Sequence, residues 1–308
     1  MEQLRVGILG PGGVGGLLAA TLAREGVDVV CIASPSTVAV LRERGLSVTS
    51  ERFGPFHQDV SAEAQLSRSV DVLFVTVKAT SLSAALERIP EEILGDAVVV
   101  PLLNGVEHVE FLRHHFPRAR VVVATIRVET SRTAAGHIVQ KSPFATIEFA
   151  PPAASLREVT ALADVLSQAD FDVQLRENER AILWEKLSFL APLALLTTVH
   201  EVAVGDLRTV YRHELVQVVE EVTMVARAAG VPISPAQVLA KIDGAPSTMH
   251  SSMQLDAAQG RPIEIDAIGR AIVRAAQSAE LVVPRVDALV ETLQLRYGDR
   301  NSTASEPA

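Results

Sequence analysis

With 308 residues and 48% apolar side chains, the chain is long enough for two domains with separate cores and too apolar to be largely disordered. A net charge of −9 argues against a nucleic-acid partner, which would favour a basic face. The single cysteine, Cys31, cannot form an internal disulfide and suits a reducing cytosol. Its apolar strand context reads as that of a small buried residue.

Residues 1–9 belong to the first expected strand, Leu4–Leu9, so no signal peptide is expected. The strand runs into Gly10-Pro11-Gly12-Gly13-Val14-Gly15, followed by an alanine-rich helical pattern and a second strand at Val27–Ala33. This is G-x-G-x-x-G in the setting of a dinucleotide fingerprint. Gly10 allows the tight turn, Gly12 lets the backbone approach a pyrophosphate, and Gly15 lets the helix pack close to the strand. A strand–helix turn with no ligand remains the alternative. Further strands are expected at Leu46–Thr49, Asp71–Val77, Ala97–Leu102 and Arg120–Thr125, alternating with helices. That alternation predicts a parallel sheet covered on both faces. Beyond residue 126, Val128–Thr130, His137–Val139 and Ala145–Phe149 read as strands that extend the sheet. A helix over Leu156–Gln168 and a strand over Phe171–Leu175 close this half.

From Asn178 the pattern is helical: Asn178–Val199, Thr209–Ala229, Pro235–Ile242, Asp266–Ala279 and Arg285–Tyr297. Leu187–Val199 is the longest apolar stretch; it is too short for a bilayer, contains Pro192 and reads as a core helix. The expected organisation is an α/β dinucleotide-binding domain over residues 1–176, an all-α domain over 177–298 and a frayed polar tail over 299–308.

No acid follows the second strand, where an NAD-preferring fold places one for the ribose hydroxyls. Ala33-Ser34-Pro35-Ser36-Thr37 instead offers three hydroxyls to a 2′-phosphate, with Arg42 as a charge partner, so the preference leans to NADP. Ser-Pro-Ser-Thr is also ordinary helix-capping sequence, and Arg42 is equally readable as solvated.

On a helix, Lys186 has Ile182, Leu183, Phe189 and Leu190 as its i±3 and i±4 neighbours. Such a lysine either snorkels to solvent or sits desolvated, where a lowered pKa would make it a useful general acid.

Leu183-Trp184-Glu185-Lys186-Leu187, the Gly10–Gly15 loop, Thr76-Val77-Lys78-Ala79, Leu103-Asn104-Gly105, and Ser251-Ser252-Met253 ahead of Glu264-Ile265-Asp266 all occur in the chain. Together they resemble the ketopantoate reductase (2-dehydropantoate 2-reductase) family, from residue 4 to about 296. The resemblance implies a Rossmann domain plus a helical domain with the active site in the cleft between them. It also implies NADPH as reductant, a small 2-keto acid as substrate, and a cytoplasmic place in pantothenate biosynthesis. Lys186 matches the lysine that protonates the substrate carbonyl oxygen, and Glu264 the carboxylate that supports catalysis and binds the substrate hydroxyl. Ser252 matches a substrate-carboxylate ligand, Asn104 a polar residue beside the nicotinamide and substrate, and Lys78 a lysine near the cofactor. The plain alternatives are a solvated strand-end lysine for Lys78, a turn for Asn104-Gly105, and a surface charge cluster for Glu264 with Asp266. No metal, nucleic acid or membrane is expected, and a homodimer is left open.

The sequence also departs from the family. Asparagines that usually bind ketopantoate align with Leu190, Ala194, Val204 and Met249, all apolar here, and the arginine often found after the second strand is replaced by Ser34. Losing partners for a polar substrate costs on the order of 1–3 kcal/mol per buried unpaired group. The expectation is therefore a reductase of ketopantoate itself or of a bulkier, less polar 2-keto acid. A 3-hydroxyacid or opine-type dehydrogenase and a non-catalytic NADP-binding sensor are the competing readings. None of the eight histidines stands in the context of a catalytic base.

Overall fold

The computed structural model describes residues 4–302, which divide into two compact units. Residues up to 103 and 108–182 form the first; residues 104–107 and those from 183 onward form the second.

The first unit is built on a six-stranded, wholly parallel sheet. Its strands lie in the order Ser61–Glu63, Asp28–Ile32, Arg5–Leu9, Val72–Val75, Val98–Pro101 and Arg120–Val121. Counted along the chain this is 3-2-1-4-5-6, the doubly wound order in which ligands meet the carboxyl ends of the strands where the order reverses. That switch point lies between Leu9 and Val75, which face each other in register. Helix Gly13–Arg24 packs on this sheet and also on a second one, of Thr130–Ala134, His137–Gln140, Leu46–Ser50 and Phe56–Gln58. Two sheets on one helix explain why residues 15–22 are all buried. Gly16 makes the second contact: a Cβ there would stand 2.9 Å from Ile138 Cγ1.

Three strand expectations are corrected. Leu46–Ser50 belongs to the second sheet rather than the parallel one. The stretch from Arg120 to Thr125 is two strands: Arg120–Val121 closes the parallel sheet, and Val123–Arg127 pairs antiparallel with Thr146–Ala150. Val121, Val122 and Val123 are all buried, so the apolar run gives no periodicity to mark where the chain changes sheet. The strands after residue 126 do not extend the parallel sheet; they build the second sheet and a third, of Asp172–Leu175, Thr146–Ala150 and Val123–Arg127. Helix Leu156–Gln168 stands as expected.

The second unit is helical. Helix Glu179–His200 continues through Pro192 without a break, and its first turn belongs to the first unit. At 22 residues it is long and apolar enough to cross a bilayer, contrary to the length expected from Leu187–Val199. However, 72% of its apolar window is buried inside the protein, the environment of a core helix. The helix expected over Thr209–Ala229 is Arg212–Ala228, and a separate helix, Val204–Thr209, precedes it. The break is at Tyr211, whose amide reaches back to Asp206 O (3.1 Å) while its ring stacks on His200 at 3.9 Å. Pro235–Asp243, Ser252–Ala258, Ala271–Ser278 and Pro284–Ser302 complete the unit, with a π-helical turn over Asp266–Arg270. The last helix thus runs into the segment expected as tail, and residues 303–308 lie outside the described residues.

Candidate active site

In the first unit the backbone does the work. Gly10 has φ +86, a conformation that L side chains rarely adopt, and its amide donates to Ile32 O (3.0 Å). Gly15 is held by packing: a Cβ there would stand 2.5 Å from Gly10 O and would overlap Thr76 Oγ1. Thr76 locks the loop from the neighbouring strand end, donating to Leu9 O (3.0 Å) or Gly10 O (2.8 Å). Thr130 Oγ1 holds the other side through Gly13 O (3.2 Å). Pro11 is buried and Val14 half-buried. Gly12 differs from its neighbours, because its φ is ordinary at −81° and a Cβ would meet only Gly10 O, at 3.9 Å. No described atom stands closer to a Cβ at position 12 than Gly10 O, so the loop leaves room for a dinucleotide pyrophosphate.

Ser34 caps helix Pro35–Arg44, and its hydroxyl lies 3.1 Å from both Ser36 Oγ and Thr37 Oγ1. Arg42 does not reach this cluster. It lies roughly 12 Å further along the helix axis, and its Nε donates to Ala62 O (2.8 Å). Lys78 is exposed just past strand Val72–Val75, at the start of the turn Ala79–Ser81. Cys31 is fully buried, and burial pushes its thiol up to about 12.

In the second unit the candidate site is built from side chains. Asn104 Nδ2 donates to Glu264 Oε2 (3.0 Å), joining residues far apart in the chain. Glu264 is only 6% exposed, which removes the reading of a surface cluster with the exposed Asp266. The turn reading of Asn104-Gly105 holds: Gly105 has φ +92, and its missing Cβ leaves room for Ala267 O. Arg274 fixes the far side of the loop, with bonds to Glu107 (2.8 and 2.6 Å) and Asp266 Oδ1 (2.9 Å). Both carboxylates hold its guanidinium above its ordinary pKa, Glu107 foremost. Asp266 opens the π-helical turn two residues after Glu264, and such turns frequently mark functional sites.

Lys186 is half-buried among Ile182, Leu183 and Leu187, which are 7% exposed or less. In the Ser-Ser pair, Ser251 is the buried member. It caps helix Ser252–Ala258 through Gln254 N (3.1 Å) and meets Thr197 Oγ1 at 2.8 Å, while Ser252 faces solvent. The four apolar replacements also divide. Ala194 and Val204 are fully buried core, and Val204 N donates to Met249 O (3.0 Å). Leu190 and Met249 are half-buried and keep surface that a substrate can touch.

Thr76, Thr130 and Arg274 were assigned no role from sequence. Thr76 alone had a signal, as a hydroxyl at a strand end beside the glycine loop. The other two act through partners distant in the chain, Gly13 for Thr130 and Glu107 for Arg274.

Comparison with known proteins identifies the family. Two family models match: "Ketopantoate reductase PanE/ApbA" over residues 6–153 and its C-terminal counterpart over residues 178–296. The 2-dehydropantoate 2-reductase of Mycobacterium tuberculosis is 30% identical over 302 residues, covering 94% of this chain and 96% of the relative. YkpB of Bacillus subtilis, described as an oxidoreductase, is 26% identical and covers 95% and 99%. Among solved structures, a PanE/ApbA family ketopantoate reductase from Ralstonia eutropha has a TM-score of 0.87 at 27% identity, covering 96% and 99%. A D-mandelate dehydrogenase with NADH and anilino(oxo)acetate has a TM-score of 0.89, covering 97% and 100%; at 20% identity it shows the shared fold. The chain belongs to the ketopantoate reductase family of oxidoreductases.

Proposed function

We propose that the protein reduces a 2-keto acid to the 2-hydroxy acid with NADPH in the cytoplasm, and that its substrate is less polar than ketopantoate. The observation that carries the reading is the buried Glu264 carboxylate bonded to Asn104. A structural surface pair would not need a carboxylate withdrawn from water, whereas a substrate-orienting pair does.

Reduction adds a hydride and a proton across the carbonyl, and a bound nicotinamide dinucleotide supplies the hydride. The proton is assigned to Lys186, whose half-buried ammonium would also stabilise negative charge developing on the oxygen. Glu264 holds the Asn104 amide and can accept a bond from the substrate or product hydroxyl. Asn104 keeps Oδ1 and a second N–H for orientation. The exposed Ser252 hydroxyl is available to the substrate carboxylate, and Gly10–Gly15, Ser34 and Lys78 are assigned to the dinucleotide. Leu190 and Met249, which replace hydrogen-bonding asparagines, favour an apolar substrate chain. The fully buried Cys31 thiol fits a reducing compartment.

A histidine-based dehydrogenase mechanism finds no support in His200. Its Nε2 is 2.8 Å from Glu214 Oε2, its ring stacks on Tyr211, and it lies roughly 21 Å along the helix from Lys186.

The test is NADPH oxidation with ketopantoate and with branched and aromatic 2-keto acids, using Lys186→Ala as the matched control. Higher kcat/KM on the apolar substrates, lost in the variant, is the expected result. Best turnover of ketopantoate would overturn the substrate preference. No turnover of any 2-keto acid despite NADPH binding would overturn the reductase reading.

A further inference from the structure

The second strand of the parallel sheet ends at Ile32, and Ala33 leads into the cap at Ser34. In a sheet of this order a carboxylate at that point selects the ribose 2′-hydroxyl, and a cation selects a 2′-phosphate. No acid occurs from Ala33 to Thr37. Glu63, which ends the adjacent strand, accepts through its carboxylate from Ser67 N (3.0 Å) and Ser67 Oγ (2.9 Å).

A cation does stand there, and it comes from elsewhere in the chain. Arg88 lies just beyond helix Leu82–Leu86, and its Nη1 donates to Ala64 O (3.1 Å) and Ala33 O (3.4 Å). The guanidinium is thereby pinned across the ends of two neighbouring strands. Its Nε and Nη2 meet no acceptor among the described residues, and no carboxylate there pairs with it. The exposed Glu87 beside it in sequence makes no ion pair with it either. A half-buried guanidinium with fixed position, free donors and no counter-ion is suited to an external anion. A solvent-open pocket lined by Ala64, Gln65, Ala84, Glu87 and Arg88 leaves room beside it. The Ser34, Ser36 and Thr37 hydroxyls gather one residue from the Ala33 carbonyl that it holds.

We propose that Arg88 is the specificity residue for the 2′-phosphate of the dinucleotide. The assignment rests on the nicotinamide-dinucleotide reading above. The geometry gives the phosphate a charged, bidentate-capable partner at the second strand end, a role for which the sequence pointed to Arg42.

The experiment is calorimetric titration of the full chain and its Arg88→Met and Arg88→Lys variants with NADPH and with NADH. The native protein is expected to bind NADPH at least about tenfold more tightly than NADH. Arg88→Met should lose about tenfold or more for NADPH while NADH affinity stays within about twofold, and Arg88→Lys should recover part of the loss. Unchanged NADH binding also shows that the variant folds. Equal binding of the two dinucleotides by the native protein would overturn the assignment alone. So would an equal loss for both in Arg88→Met, the mark of a structural latch on the strand ends. Binding of neither by the native protein would overturn the dinucleotide reading and this assignment together.

Discussion

The glycine loop of the first unit and the Asn104–Glu264 pair of the second solve different problems with different parts of the polypeptide. In the loop, shape is a matter of absent side chains: Gly10 through φ +86, Gly15 through its tight packing, Gly12 through the space beside it. In the pair, it is a matter of two polar groups brought together out of water. The first kind of site is encoded within a few residues, and the second only by a finished tertiary structure. The two should therefore fail differently when altered.

The sharpest break is Lys186→Ala. Loss of a proton donor should lower kcat by about 10²–10⁴-fold while NADPH affinity, read by titration, stays unchanged. Parallel loss of affinity would show that the lysine serves the fold or the dinucleotide. Next come the glycines, compared with each other. Gly15→Ala forces its Cβ into Gly10 O and Thr76, so both thermal stability and dinucleotide binding should fall. Gly12→Ala should leave the melting temperature within a few degrees and weaken NADPH binding by about tenfold or more. If both variants melt alike and bind alike, the distinction between packing and ligand glycines is wrong.

A smaller effect is expected at Arg274, a positioning residue that touches Glu107 and Asp266 rather than Asn104 itself. Arg274→Ala should lower kcat by about threefold, the scale of a partly exposed ion-pair network, with NADPH affinity unmoved and partial rescue by Arg274→Lys. An unchanged kcat would separate the loop's anchoring from its function. The smallest effect is at Cys31. Its raised pKa means that the folded state disfavours the thiolate, so no labelling by a thiol reagent is expected in the native protein at pH 8 and one equivalent after unfolding. The same shift costs stability only as pH rises above the unfolded thiol's pKa of roughly 8.5.

The same contrast governs how much could be read from the sequence. The loop was legible because strand, glycines and helix are contiguous and each glycine has a local reason. Lys186 was legible because its helical neighbours are three and four residues away. Asn104 and Glu264 could be named singly through resemblance, but their bond spans 160 positions and leaves no local trace. Charge placement was the weakest point. Arg42 is nearer to Ser34 in sequence, yet helix geometry carries it away, while Arg88 arrives at Ala33 from just beyond a later helix. Likewise, the strand change at Val122 is hidden because every neighbouring residue is apolar.

The segment 104–107 is covalently part of the first unit's chain path but belongs to the second unit. Its consequence lies in synthesis. Asn104 is made 160 residues before Glu264, an interval of roughly 8–30 s at ordinary elongation rates. From residue 121 onward the glycine loop and every strand of its parallel sheet have been made, while the Asn104 loop has neither its carboxylate nor the Arg274 clamp. A nascent chain can thus acquire its nucleotide-binding half well before it can acquire chemistry, and translation of the last fifth of the message sets the moment at which the reductase becomes one.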